Sequence, residues 1–228
     1  MLPSTTVENY LKAIFLGTGS MRDEQPAPLL PMGQLASALG VAPGTATSMV
    51  KTLAESGLVR YEPYSGVALT PAGEKLAASV VRRHRLIELF LVRVLGFGWD
   101  EVHDEAEHLE HVVSERLIAR IDEMLGHPAV DPHGDPIPDA EGAVQPQNVQ
   151  SLLTCPLNTP VTVTRVVAQD RAFLRFIEQH DLKPGQSITV EIRDTASDSV
   201  RLRANGAPIT IGARAASKLL VTSGEDRE

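Results

Sequence analysis

The sequence predicts a mainly α chain with small β parts. A winged helix-turn-helix occupies 1–73, a helical section 74–141, a linker 142–153 and a small, partly open β-barrel 154–223. Three observations predict it: helical apolar spacing that runs into a hairpin signal, a His- and Glu-rich stretch of helical periodicity, and short alternating segments towards the C-terminus. The 228 residues, 43% apolar and 22% charged, exclude disordered, collagen-like and coiled-coil classes. No run nears the ~20 apolar residues of a membrane span and the N-terminus has no leader pattern, so a cytoplasmic chain without a membrane partner is expected. The single Cys155 permits no internal disulfide, which fits a reducing compartment.

The first helix is expected to start from Thr5, with Glu8 completing a capping box. Val7, Tyr10, Leu11, Ile14 and Phe15 fall at i, i+3, i+4, i+7 and i+8, one buried face. Asn9 lies almost opposite, free to meet something outside that core. Met32, Leu35, Ala36 and Leu39 make a second short helix that ends at Gly40. A third begins at Pro43, a favourable first-turn residue, and buries Ala46, Met49, Val50 and Leu53. Its other side presents Gly44, Thr45, Thr47, Ser48 and Lys51. LVRYE, a turn at PYSG, and VALT then read as a two-stranded hairpin. Small hydroxyl residues let a helix enter the major groove and meet bases or phosphates, and Lys51 and Arg60 would serve phosphates. With so few basic residues one copy should bind weakly, so two copies on a symmetric, palindromic double-stranded site are expected.

Thr70-Pro71 opens a long helix that carries His84 and Glu88 at i and i+4. The next helix holds VHDEAEHLEH, 102–111, with an apolar stripe of Val102, Ala106, Leu109, Val113 and Leu117. His103, Glu107, Glu110 and His111 share one flank of that stripe, half sheltered from water. Packed antiparallel, the two helices could gather six nitrogen and oxygen ligands. Imidazole and carboxylate without thiolate suit Mn(II) and Fe(II), and less selectively Zn(II) or Co(II). Neither H-E-x-x-H nor its inverse occurs, since 107–111 reads EHLEH. No catalytic triad or phosphate loop stands out, so neither an enzyme nor a small organic substrate is expected. His127, His133 and His180 read as ordinary polar residues, and Arg82, Arg83 and Arg85 as charge balance for the acids of the next helix.

Residues 126–147 carry five Pro and three Gly, the density of a linker or an extended crossing segment. TPVTVTRVV, SITVEIRD, SVRLRANG and PITIG supply the barrel strands, with a helix at DRAFLRFIEQHDL between the first two. The net charge of -8 counts mildly against a nucleic-acid partner until it is divided. Residues 1–73 carry 4 basic and 5 acidic side chains, whereas 74–125 carry 7 and 11. Residues 126–153 add four acids and no Lys or Arg, so the acidity lies in the middle of the chain, in the helices that hold the candidate ligands and in the linker.

VRRHRLIE, VHDEAEHLEH and DPHGDPIP, in that order after a winged helix, resemble the diphtheria toxin repressor family of metal-dependent regulators. The resemblance implies a homodimeric repressor of metal-homeostasis genes, with a helical dimerisation and metal-binding domain and a C-terminal SH3-like barrel. It implies an ancillary site at His84, Glu88 and His103, and a primary site at Glu107, Glu110 and His111 with Asn9 from the first helix. Glu107 stands where iron-type members have Cys and manganese-type members Glu, so Mn(II) is preferred, with Fe(II) possible and Zn(II), Co(II) or Cd(II) as surrogates. Asn9 replaces the usual Asp or Met. Lys12 replaces the Glu of two-domain manganese members, which implies two separate sites in place of a close binuclear pair. Asp170 is the implied barrel ligand to the ancillary site. Two rival readings remain open on sequence: a winged-helix regulator without metal sensing, and a His/Glu metal hydrolase.

Overall fold

A computed structural model of the chain describes residues 4–19, 28–167 and 170–223. They fall into two compact units, one made of 1–84, 110–113 and 138–145, the other of 85–109, 114–137 and 146–228.

The first unit is the winged helix-turn-helix with the start of a long helix. Helix α1 (Thr5–Thr18) is capped by Ser4, one residue before the expected Thr5, because the Ser4 hydroxyl accepts from the Val7 amide. Tyr10, Leu11, Ile14 and Phe15 are buried as their spacing predicts. Helix α2 (Met32–Ala38) buries Leu35 and Ala36. Helix α3 (Pro43–Glu55) starts on its proline and buries Ala46, Val50 and Leu53. Strands β1 (Val59–Glu62) and β2 (Gly66–Leu69) pair antiparallel with Arg60 opposite Ala68. The wing also gains a bridge the sequence reading lacked: Leu30 and Val67 exchange both backbone hydrogen bonds, at 2.8 and 3.0 Å. Helix α4 (Pro71–Leu95) opens at Pro71, with the Thr70 hydroxyl accepting from the Gly73 amide. Its Ala77, Ala78 and Val81 complete the core of this unit.

The unit boundary falls within α4. Residues 83–89 of this helix are buried all round, so its polar members Arg83, His84, Arg85 and Glu88 must find partners inside the protein. The stripe expected to run from Val102 to Leu117 is broken. Helix α5 (Val102–Leu109) ends before Glu110, and α6 (Glu115–Met124) starts afresh from Ser114, whose hydroxyl accepts from Leu117 N. Leu117 is therefore exposed, and Glu110 is fully buried.

The C-terminal part of the second unit is one six-stranded antiparallel sheet in the order β3-β8-β4-β5-β6-β7. Its strands are β3 (Gln150–Ser151), β4 (Pro160–Val166), β5 (Ser187–Asp194), β6 (Ser199–Ala204), β7 (Ala207–Gly212) and β8 (Leu219–Ser223). In β6, Val200, Leu202 and Ala204 point inward and the residues between them outward, the period-2 pattern of a half-buried strand. Helix α7 (Arg171–Gln179) lies between β4 and β5, and α8 (Ala213–Ala216) between β7 and β8. Leu174 and Ile177 of α7 share a core with the strands, Trp99 and Val92. No described helix is long and apolar enough to cross a membrane.

Candidate metal centres

In the first unit a buried polar cluster joins α1 to the corner that follows α5. Lys12 Nζ donates to both carboxylate oxygens of Glu110, at 3.0 and 2.8 Å, and lies 3.0 Å from His84 Nδ1. His84 Nδ1 is 2.5 Å from Glu110 Oε2. On the adjacent turn of α1, Glu8 accepts from Arg83 Nη2 at 2.7 Å and lies 2.5 Å from His111 Nδ1. Burial alone would raise the Glu110 carboxyl, but the His84 hydrogen bond and the Lys12 charge outweigh it and hold it below the usual carboxylate range. Asn9 Oδ1 is buried here without a hydrogen-bond partner, and His111 Nε2, also without a hydrogen bond, lies 3.3 Å from Glu110 Oε1. Such atoms are rare in folded proteins and fit a divalent cation that accepts oxygen and nitrogen ligands.

The second unit holds a second cluster. Glu88, Asp131 and His133 are all buried, and their ligand atoms stand within 4.8 Å of one another. His133 Nδ1 is 3.8 Å from Glu88 Oε2, and Trp99 meets the imidazole edge-on with ring centroids 4.8 Å apart. His133 Nε2 is buried without a hydrogen-bond partner. Glu88 also lies 3.2 Å from His103 Nδ1, and His103 Nε2 is 3.7 Å from Glu107. Asp131 Oδ1 accepts from the amides of His133 and Asp135, which folds DPHGD into a tight turn. Burial, then repulsion from Asp135 and Glu88, pushes the Asp131 carboxyl well above its ordinary range, although Arg85 stands 3.9 Å away. The turn is fastened to β4 by Val166 N donating to the His133 carbonyl at 2.8 Å. Gly134, at φ 88°, lets it approach, because a Cβ there would overlap the Thr164 carbonyl oxygen. An oxygen and imidazole set with surplus negative charge fits a divalent cation.

Several of the expected ligands stand together within each unit. His84 stands with Glu110 and His111, and Glu107 stands with His103 and Glu88. Asp131 and His133 were not expected as ligands, since a segment dense in Pro and Gly reads as a linker. The Asx turn D-P-H-G-D was the signal available. Asp170 is exposed and caps α7, its Oδ1 accepting from Phe173 N at 2.8 Å. The arginines of α4 do balance charge: Arg83 meets Glu8, Arg82 donates to the Pro138 carbonyl, and Arg85 lies near Asp131 and Asp135.

On the outer side of α3, Pro43, Gly44, Thr45, Ser48 and Lys51 are exposed. Thr47 is half-buried and its hydroxyl donates to the Pro43 carbonyl at 2.9 Å. Arg60, on the wing, lies 3.3 Å from Glu62. Tyr64, which the sequence reading passed over, is fully exposed at the wing tip with φ 66°.

Residues 3–67 match the family described as iron dependent repressor, N-terminal DNA binding domain. Residues 70–139 match iron dependent repressor, metal binding and dimerisation domain, and 150–223 match the FeoA domain. The chain is 33% identical over 198 residues to the iron-dependent repressor IdeR of Mycobacterium tuberculosis, covering 82% of this chain and 84% of that one. It is 33% identical over 124 residues to the HTH-type transcriptional regulator MntR of Lysinibacillus sphaericus, or 54% of this chain and 84% of that one. A solved manganese-dependent transcriptional repressor in complex with manganese superposes with a TM-score of 0.86 at 39% identity, covering 95% of this chain and 99% of that one. ScaR with bound cadmium gives 0.77 at 30% identity, covering 97% and 100%.

Proposed function

The chain belongs to the iron-dependent, diphtheria toxin repressor-type family of metal-dependent DNA-binding repressors, and from that premise we propose that it answers to Mn(II) as a homodimer on a palindromic operator. Membership of a family of transcriptional repressors sets the hydrolase reading aside. The observation that carries the metal reading is the pair of buried, unpartnered ligand atoms Asn9 Oδ1 and His133 Nε2. The manganese preference rests on donor chemistry. Every candidate ligand offers oxygen or imidazole nitrogen, and Glu107 supplies a carboxylate where a thiolate would favour softer ions.

A divalent cation would supply charge that draws carboxylate and imidazole together. In this reading Glu107, Glu110 and His111 hold one ion with Asn9. Asn9 lies on α1, whose apolar face is part of the winged-helix core, so ligation fixes the reading head. Glu88, with Asp131, His133 and His103, holds a second ion, which His84 joins in the set implied by resemblance. Asp170, the implied barrel ligand, caps α7 through Oδ1 and would offer that ion its other oxygen. Thr45, Ser48 and Lys51 then face the groove, with Arg60 on the flanking phosphates and Thr47 buttressing the helix start. Ligand binding to a minor competent state shifts the population, with a coupling of about 1–3 kcal/mol.

Equilibrium binding of Mn(II), Fe(II) and Zn(II) to wild type and Glu107→Cys tests the preference. Wild type is expected to favour Mn(II), and the cysteine variant to shift towards Fe(II) and Zn(II). An unchanged preference removes Glu107 as the selecting ligand.

A further inference from the structure

We propose that Lys12 is a tethered internal cation that holds Glu110 and His84 in the metal-free chain, so that a divalent ion gains Glu110 only by displacing it. The inference rests on the metal reading above and adds a device that sets the concentration at which the switch responds.

The two buried clusters differ in the way this device requires. In the first unit Lys12 and Arg83 face Glu8 and Glu110, and the four formal charges balance without any ion. In the second, Glu88, Asp131 and Asp135 stand with Arg85, Arg165 and the imidazoles of His103 and His133, three carboxylates against two guanidiniums. The carboxyls respond accordingly. Glu110 is held below its ordinary range although burial opposes it, whereas Asp131 is pushed above it.

The geometry is specific to displacement. The Lys12 ammonium contacts both oxygens of Glu110, within 3.0 Å, so a metal taking either oxygen competes with it. Glu110 is fully buried and Lys12 nearly so, which makes the pair a charge-assisted contact poorly screened by water. Lys12 is on α1, the helix that Asn9 would bring to the ion. The ammonium therefore makes, without metal, the same α1-to-Glu110 link that metal would make. His111 is engaged in parallel, its Nδ1 on Glu8 and its Nε2 3.3 Å from Glu110 Oε1. The metal-free unit thereby keeps α1 beside Glu110, and each ion pays for breaking the lysine contact. A charge-assisted hydrogen bond to a buried carboxylate corresponds to about ten- to a hundredfold in affinity.

The test uses the full-length chain without DNA. Binding of Mn(II) is read from loss of the free-ion electron paramagnetic resonance signal, and α1 mobility in chelator from amide hydrogen exchange. Lys12→Met removes the charge. Lys12→Gln removes it but keeps a donor for Glu110, which guards against misfolding of the first variant. Both are expected to bind Mn(II) about ten- to a hundredfold more tightly at one site per chain and to exchange α1 amides faster in chelator; Lys12→Arg is expected to stay within about threefold of wild type. Equal or weaker Mn(II) binding by both neutral variants, with a wild type that does bind, overturns the displacement and leaves the metal reading standing. Uptake by the neutral variants but not by wild type supports displacement and removes Mn(II) responsiveness from the natural chain. No uptake by any of them overturns both.

Discussion

Glu110 and Asp131 are both buried carboxylates whose surroundings move them in opposite directions. The depressed Glu110 group stabilises the fold above the unfolded value of about 4.3, and that contribution is lost as pH falls through its lower folded value. Glu110→Gln breaks a buried pair and is expected to cost about 3–5 kcal/mol at neutral pH, a gap from wild type that closes in acid. Thermal unfolding in chelator between pH 7 and 3 checks this. Asp131 carries the opposite sign. Its raised group favours the fold most below its unfolded value of about 3.9, and that advantage fades as pH climbs through the folded value. Asp131→Asn is therefore expected to raise the metal-free Tm at pH 7 by about 2–4 °C and to abolish part of the Tm gain on adding Mn(II). A drop in the metal-free Tm would show that the Asp131 charge is already compensated.

At the scale of elements, what the sequence revealed depended on whether the apolar period stopped where the element stopped. Helices α1 and α3 were legible because Leu11, Ile14, Val50 and Leu53 keep one face and Gly or Pro marks the ends. The α5–α6 break was not, since Val102, Ala106, Leu109, Val113 and Leu117 continue the helical period straight through the turn. Ser114 followed by Glu115 was the capping signal hidden inside that run. Four of the expected ligands needed only i, i+3 and i+4 spacing on α5 and its corner. Asp131 and His133 needed a long-range fact, that the DPHGD turn is seated on β4, which no local pattern encodes. The turn depends on Gly134. Gly134→Ala is expected to lift the turn off β4 and lower Mn(II) uptake from two ions per chain towards one, as metal analysis of the dialysed protein would show. Two ions retained would place the second elsewhere.

For the whole molecule the net charge of -8 is better read as a distribution than as a sum. The reading head, 1–73, is almost neutral, and the acids are concentrated where ions are expected to bind. Two divalent ions would offset the net -4 of residues 74–125, so repulsion of phosphate is least in the loaded state. With Lys51 and Arg60 as the exposed basic groups among the described residues of the reading head, DNA binding should show a shallow salt dependence. Lys51→Ala is expected to reduce the slope of log K against log salt by about 0.9 for each operator phosphate it contacts, with little change in sequence preference. Fluorescence anisotropy of a palindromic promoter fragment at fixed protein, titrated with free Mn(II) from chelator to saturation, tests the central claim most directly. The account predicts a saturable rise in DNA affinity of at least about fivefold, the lower end of a 1–3 kcal/mol coupling, that chelator reverses. An affinity that stays flat across the titration would contradict it.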